Sequence, residues 1–137
     1  MLPVILSAAE VRQILALIRL PGYQVCLTTI YSILFDTGKS TLKPESKAAI
    51  AEIAKLMNNR PTLKLFVVGH TDSTGGFEAN MKLSRDRAAA VTQSLVSDYG
   101  IEAARLTPHG VGPLSPVATN TIEEGRTKNR RVDLVAQ

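Results

Sequence analysis

Three side chains near the middle of this chain have the types and spacing to grip a small charged group. Asp72 lies in Gly69-His70-Thr71-Asp72-Ser73-Thr74-Gly75, a polar loop at the end of an apolar stretch. Strand ends in α/β sheets are common ligand sites. Asn80 and Arg87 lie in Asn80-Met81-Lys82-Leu83-Ser84-Arg85-Asp86-Arg87-Ala88. In a helix, Asn80, Ser84 and Arg87 at i, i+4 and i+7 share one face, and Arg85 and Asp86 point away from it. Arg87 borders the apolar seam of Ala88 and Val91. A guanidinium there must be held by a carboxylate or aimed into a groove. Asp72 is the nearest candidate in sequence. Two readings stay open. In one, Asp72 takes the ammonium of an amino-acid group while Arg87 and backbone N–H groups take its carboxylate. In the other, Asp72 and Arg87 form an internal ion pair that ties loop to helix.

The elements that must position these residues follow from periodicity. Ser7 to Leu20 reads as a helix, with Val11, Ile14, Leu15 and Ile18 on one stripe and Ser7/Glu10 at capping-box spacing. Pro21-Gly22 stops it. Tyr23 to Phe35 reads as a strand, followed by the loop Asp36-Thr37-Gly38-Lys39-Ser40. Pro44 to Met57 reads as a helix with the stripe Ile50, Ile53, Ala54 and Met57. Leu63 to Val68 is nearly all apolar, the pattern of a strand buried on both faces. Asn80 or Ser84 can cap a helix that runs to Tyr99 and stops at Gly100. Arg105 to Val111 reads as a strand that Pro108 pushes to a sheet edge. Residues 112–128 read as a turn-rich connection, and Arg131 to Val135 as the last strand. Helices alternating with strands predict an α/β two-layer sandwich with a mixed sheet. Its core is β-α-β-α-β-β, with an extra helix at the N-terminus.

Composition narrows the function classes. The 137 residues fit one domain, and 45% hydrophobic with 20% charged residues excludes a disordered or low-complexity chain. No apolar run is long enough for a membrane helix. Met1 to Leu6 lacks a basic start and does not read as a signal peptide. Aromatics are 4% with no Trp, which argues against base stacking on nucleic acid. The net charge of +4 gathers after Met81. It suits an anionic partner or a solvated face, but interleaved acids make it a poor phosphate track. The single Cys26 excludes an internal disulfide and reads as a buried small hydrophobe. No Gly-x-Ser-x-Gly elbow is present, and Gly110-Val111-Gly112 lacks the third glycine of a phosphate loop, so it reads as a tight turn. His70, Asp72 and His109 match no metal spacing, so no metal or cofactor is expected. His70 reads as a structural histidine and His109 as a surface residue. In Asn129-Arg130-Arg131, one arginine is expected to pair near the sheet edge and the other to lie exposed.

Ordered blocks carry a family resemblance. They are Phe35-Asp36, Leu42-Lys43-Pro44, Gly69-His70-Thr71-Asp72-x-x-Gly75, Asn80-x-x-Leu83-Ser84-x-x-Arg87-Ala88, Gly110-Val111-Gly112 and Asn129-Arg130-Arg131-Val132. From about Ile30 to Gln137 the chain resembles the OmpA-like C-terminal domain, so residues 30–137 are expected to form that domain and residues 1–29 an extension. The resemblance implies a non-enzymatic module that binds the peptidoglycan stem peptide, with Asp72 and Arg87 clamping its diaminopimelate residue. Asn80 is placed near the ligand, Thr37, Gly38 and Thr74 along the groove, and Leu83 and Ala88 as an apolar wall. It implies a periplasmic location, tethered to the outer membrane in the full-length protein. The N-terminal helix is a candidate contact for a second copy or an envelope partner. A wall hydrolase, whose best acid–base pair is His70 and Asp72, and an interaction domain without the clamp are the rival classes.

Overall fold

The computed structural model describes residues 33–137. Along the chain come β1 (Ile33–Leu34), α1 (Ser46–Asn59), β2 (Leu65–Gly69), α2 (Phe77–Tyr99), a short 3-10 turn (Ala103–Arg105), β3 (Leu106–Gly110), α3 (Glu123–Asn129) and β4 (Arg131–Ala136). The helix expected over 7–20, Cys26 and most of the strand expected over 23–35 lie outside the described residues. The sheet runs in the order β1-β4-β2-β3. β4 is antiparallel to β1 and to β2, while β2 and β3 are parallel. Parallel neighbours need a crossover, and α2 supplies it. The expected mixed-sheet sandwich is therefore present.

The helical stripes form the core as their spacing predicts. Ile50, Ile53, Ala54 and Met57 of α1 and Ala88, Val91 and Leu95 of α2 pack with Leu65, Val67, Val132 and Leu134 of the sheet. Burying each large aliphatic side chain contributes roughly 1.5–3 kcal/mol. Among the described residues no helix is long and apolar enough to cross a membrane.

Four expectations need correction. β2 is not buried on both faces: Leu65 and Val67 face the helices, but Phe66 is 36% exposed and Val68 is half-buried. Both helical stripes lie on the one face. α2 starts at Phe77, before Asn80 and Ser84, with extended Gly76 as its N-cap and no side-chain cap. Asn80 and Ser84 are thus interior, buried positions. Residues 112–128 contain all but the last residue of α3, whose sequence has no apolar stripe to announce it. Its acids Glu123 and Glu124 sit in the first turn and its bases Arg126 and Lys128 in the last, where they suit the helix dipole. Finally, Arg130 and Arg131 are both buried and both paired. As expected, β3 with Pro108 is an edge strand, and His109 is exposed, its ring 5.8 Å from that of Phe66.

Arg131 and Asp133 point to the sheet face opposite Val132 and Leu134, by the two-residue period of a strand. His70 Nε2 donates to Asp133 Oδ2 at 3.0 Å, and Arg131 Nη2 lies 3.0 Å from the same oxygen. Arg131 Nη2 also donates to Ser115 O at 3.1 Å. Burial pushes the Asp133 carboxyl up, but the His70 hydrogen bond and the Arg131 charge outweigh it, and the group titrates below the ordinary aspartate value.

Two glycines set how closely α2 lies on the sheet. Gly69 and Gly110 are register partners at the ends of β2 and β3. A Cβ on Gly69 would meet Ser84 O at 1.8 Å, and one on Gly110 would meet Arg85 N and Ser84 Oγ at 2.4 Å. Gly110 therefore permits a close approach of helix to strand rather than the turn expected for it; the positive φ of 57° belongs to Gly112. Ser84 Oγ donates to Met81 O and accepts the Gly112 N–H at 2.9 Å, stitching helix to loop.

Gly69→Ala should destabilise the domain by about 1–3 kcal/mol or more in urea unfolding, because backbone must move. Gly76→Ala, which meets open space, should cost less than about 1 kcal/mol. Equal costs would contradict the packing described. Asp133→Asn should cost about 3 kcal/mol near neutral pH by leaving the buried Arg131 guanidinium without its counter-charge. The native carboxylate, titrating low in the folded state, stabilises above about pH 4, and that contribution disappears as pH falls through its lowered folded value. The gap between wild type and variant in urea unfolding should therefore close in acid; a pH-independent gap would refute it.

Candidate functional site

The chain from Phe35 turns sharply, with Lys39 N–H donating to Asp36 O at 3.1 Å and Gly38 at a φ of +67°. Thr37, Gly38 and Lys39 are exposed on this turn, and the Asp36 carboxylate pairs with Lys43 at 3.3 Å. A second loop follows β2. Its Asp72 is only 4% exposed, and Asp72 Oδ1 accepts the Thr74 N–H at 2.9 Å, an Asx turn that fixes the loop. Asn80 reaches back from α2, its Nδ2 donating to Thr74 O at 3.0 Å.

Arg87 joins the two loops. It is fully buried, and Nε donates to Lys39 O at 2.9 Å, Nη2 to Asp36 O at 3.0 Å and Nη1 to His70 O at 2.8 Å. Its guanidinium also lies over the Phe35 ring, 5.2 Å from the centroid. All three acceptors are neutral carbonyls. Burial lowers the Arg87 pKa to about 10, against the raising influence of Asp72.

Asp72 takes a different cation. Arg130 Nη1 donates to Asp72 Oδ2 at 2.9 Å, Nε to Phe35 O at 3.3 Å, and Nη2 to Glu123 Oε1 at 2.7 Å and Thr127 Oγ1 at 2.9 Å. Burial works against the Arg130 charge, but its hydrogen bonds to Glu123 and Asp72 outweigh it, and the net shift is upward. The Arg130 hydrogen bond, then that of Arg126, lowers the Glu123 pKa. The internal Asp72–Arg87 ion pair weighed in the sequence is thus replaced by two separate arrangements. The carboxylate goes to Arg130, and the guanidinium goes to backbone.

The sequence-derived residues divide. Asp72, Asn80, Thr74, Thr37 and Gly38 belong to Arg87, to the loops it ties or to the side chains bonded to those loops. Leu83 is half-buried on α2, whereas Ala88 is sealed in the hydrophobic core and offers no wall. Sequence reasoning missed Arg130, Glu123 and Thr127. The signal was present: Glu123, Thr127 and Arg130 repeat the i, i+4, i+7 spacing of Asn80, Ser84 and Arg87. Reading 112–128 as turns conceals it. Among the described residues no group of His, Cys, Asp and Glu is placed to hold a metal.

Comparison with known proteins shows what the chain is similar to. The chain is 36% identical over 113 residues to the probable lipoprotein YiaD of Escherichia coli, covering 82% of this chain and 51% of that protein. It thus spans about half the length of that relative, and a smaller share of the outer membrane proteins it also matches. The peptidoglycan-associated lipoprotein from Burkholderia pseudomallei superposes with a TM-score of 0.74 at 31% identity, covering 78% of this chain and 90% of that one. The cell wall anchor of the T6SS from Pseudomonas aeruginosa superposes at 0.64 with 32% identity, covering 75% of this chain and 73% of its own. The OmpA family model matches residues 34–130, from β1 through both loops, α2 and Arg130. The chain belongs to the OmpA family.

Proposed function

We propose that this domain binds bacterial peptidoglycan without catalysis, through the diaminopimelate of the stem peptide, and so anchors an outer-membrane or envelope protein to the wall from the periplasm. The observation that carries the reading is the state of Arg87: a fully buried cation whose hydrogen bonds all go to neutral carbonyls. Burying a cation with no directly bonded counter-ion is costly, and Asp72 acts on Arg87 only at a distance. A ligand carboxylate seated between the two exposed turns supplies that counter-ion and meets the guanidinium N–H groups that the carbonyls leave over. Asp72 receives the ligand ammonium, sharing its carboxylate with Arg130. The peptidoglycan-associated lipoprotein and the cell wall anchor among its structural neighbours support peptidoglycan as the ligand.

Recognition here is charge-assisted hydrogen bonding, at roughly 1.5–3 kcal/mol each. Three or four such bonds, less the cost of association, give about micromolar to millimolar affinity for one stem. The wall repeats the stem many times, so weak sites suffice for an anchored protein. A wall hydrolase would need an acid or base free to act. The pair it would use is not formed: His70 and Asp72 are both buried, His70 bonds Asp133, and Asp72 bonds Arg130 and the Thr74 N–H.

Wild-type domain should co-sediment with purified peptidoglycan, Arg85→Ala should do so equally, and Asp72→Asn, with its fold checked by circular dichroism, should stay at least about tenfold more in the supernatant. Arg85 is exposed and faces away from the site. Chromatography of muropeptides after incubation should show no cleavage. Wild type that remains in solution rejects the binding reading, and cleaved muropeptides reject the non-catalytic one.

A further inference from the structure

Asp72 and Glu123 are joined through one guanidinium, with Arg130 Nη1 on Asp72 Oδ2 and Nη2 on Glu123 Oε1. Asp72 and Arg130 are buried, but the Glu123 side chain is 61% exposed and contributes no core packing. Its placement is nonetheless defined: Arg126 Nε donates to Glu123 Oε2 at 2.9 Å, and Thr127 Oγ1 to the Glu123 carbonyl at 3.0 Å. Nearby, Asp36 and Lys43 neutralise each other. The site itself then sets two carboxylates, Asp72 and Glu123, against the guanidiniums of Arg87 and Arg130, with Arg126 also bonded to the outer oxygen of Glu123.

We propose that Glu123 sets the ligand preference of this site, through Arg130, toward a head group bearing both an ammonium and a carboxylate and against one bearing the carboxylate alone. The inference rests on the binding reading above and deepens it. Glu123 draws part of the Arg130 charge away from Asp72, so Asp72 keeps the negative potential that an ammonium needs. Without Glu123, Arg130 is left with Asp72 as its carboxylate partner and the site gains one unit of positive charge. An ammonium then meets a neutralised carboxylate, while an anion gains attraction. Glu123 is a positioning and tuning residue and does not touch the ligand. At separations of two side-chain lengths near a protein surface, one unit charge changes binding by about 3–10-fold.

The test compares two probes by calorimetry: a stem tripeptide ending in meso-diaminopimelate, and the same peptide acetylated on the distal amine. Wild type should prefer the free amine. Glu123→Gln, which keeps the shape and the exposed location, should bind the free-amine peptide about 3–10-fold more weakly and the acetylated peptide as well as wild type or better. A purely structural role for Glu123 would weaken both peptides by the same factor, and that outcome overturns the proposal. Unchanged binding of both peptides also overturns it, while leaving the binding reading intact. Wild type that binds neither peptide overturns both.

Discussion

A guanidinium with no solvent-accessible surface is held by three carbonyls from two loops that are far apart in sequence. Lys39 and Asp36 come from the turn after β1, and His70 from the end of β2. If Arg87 were shortened, these loops would lose a side chain that binds both of them, and its buried acceptors would be left unpaired. Much of the fold serves this placement. Gly69 and Gly110 let α2 sit directly on the strand ends, Ser84 fastens the helix to Gly112, and the next turn of α2 delivers Arg87 between the loops. Phe35 closes one side of the cation.

The charge arrangement around this arginine separates two tasks that simple pairing would merge. Had Asp72 and Arg87 bonded each other, each would satisfy the other and neither would need a ligand. Here Arg130 occupies Asp72, and neutral backbone occupies Arg87. Burial lowers the Arg87 pKa to about 10, and the charge of Asp72, which forms no bond to it, offsets this only in part. Arg130 in turn reaches past Asp72 to the surface at Glu123, which links a buried carboxylate to a group accessible to solvent.

The core and the face of α2 were legible because helical periodicity is strong there. Ile50, Ile53, Ala54, Met57, Ala88, Val91 and Leu95 all pack as their spacing implies, and Asn80, Ser84 and Arg87 share the buried face. α3 was hidden because its seven residues contain no large apolar side chain, so its order comes from Gly125 packed on Thr119, from Asn129 capping the 117–118 amides, and from its end charges. Arg130 was not foreseen as the partner of Asp72 for the same reason, since it reaches the site only once α3 and β4 have formed. The carbonyl acceptors of Arg87 were out of reach for a different cause. A side-chain pattern shows that a cation must be held, but every residue carries a carbonyl, so which of them hold it is decided only by loop geometry.

The account turns on whether an amino-acid head group replaces the missing counter-ion of Arg87 while engaging Asp72. A crystal structure of the domain with a bound stem tripeptide ending in diaminopimelate tests this most directly. It should show the ligand carboxylate within about 3 Å of an Arg87 nitrogen and the ammonium within about 3 Å of an Asp72 oxygen. A ligand bound elsewhere, with Arg87 still sealed among its three carbonyls, would contradict it.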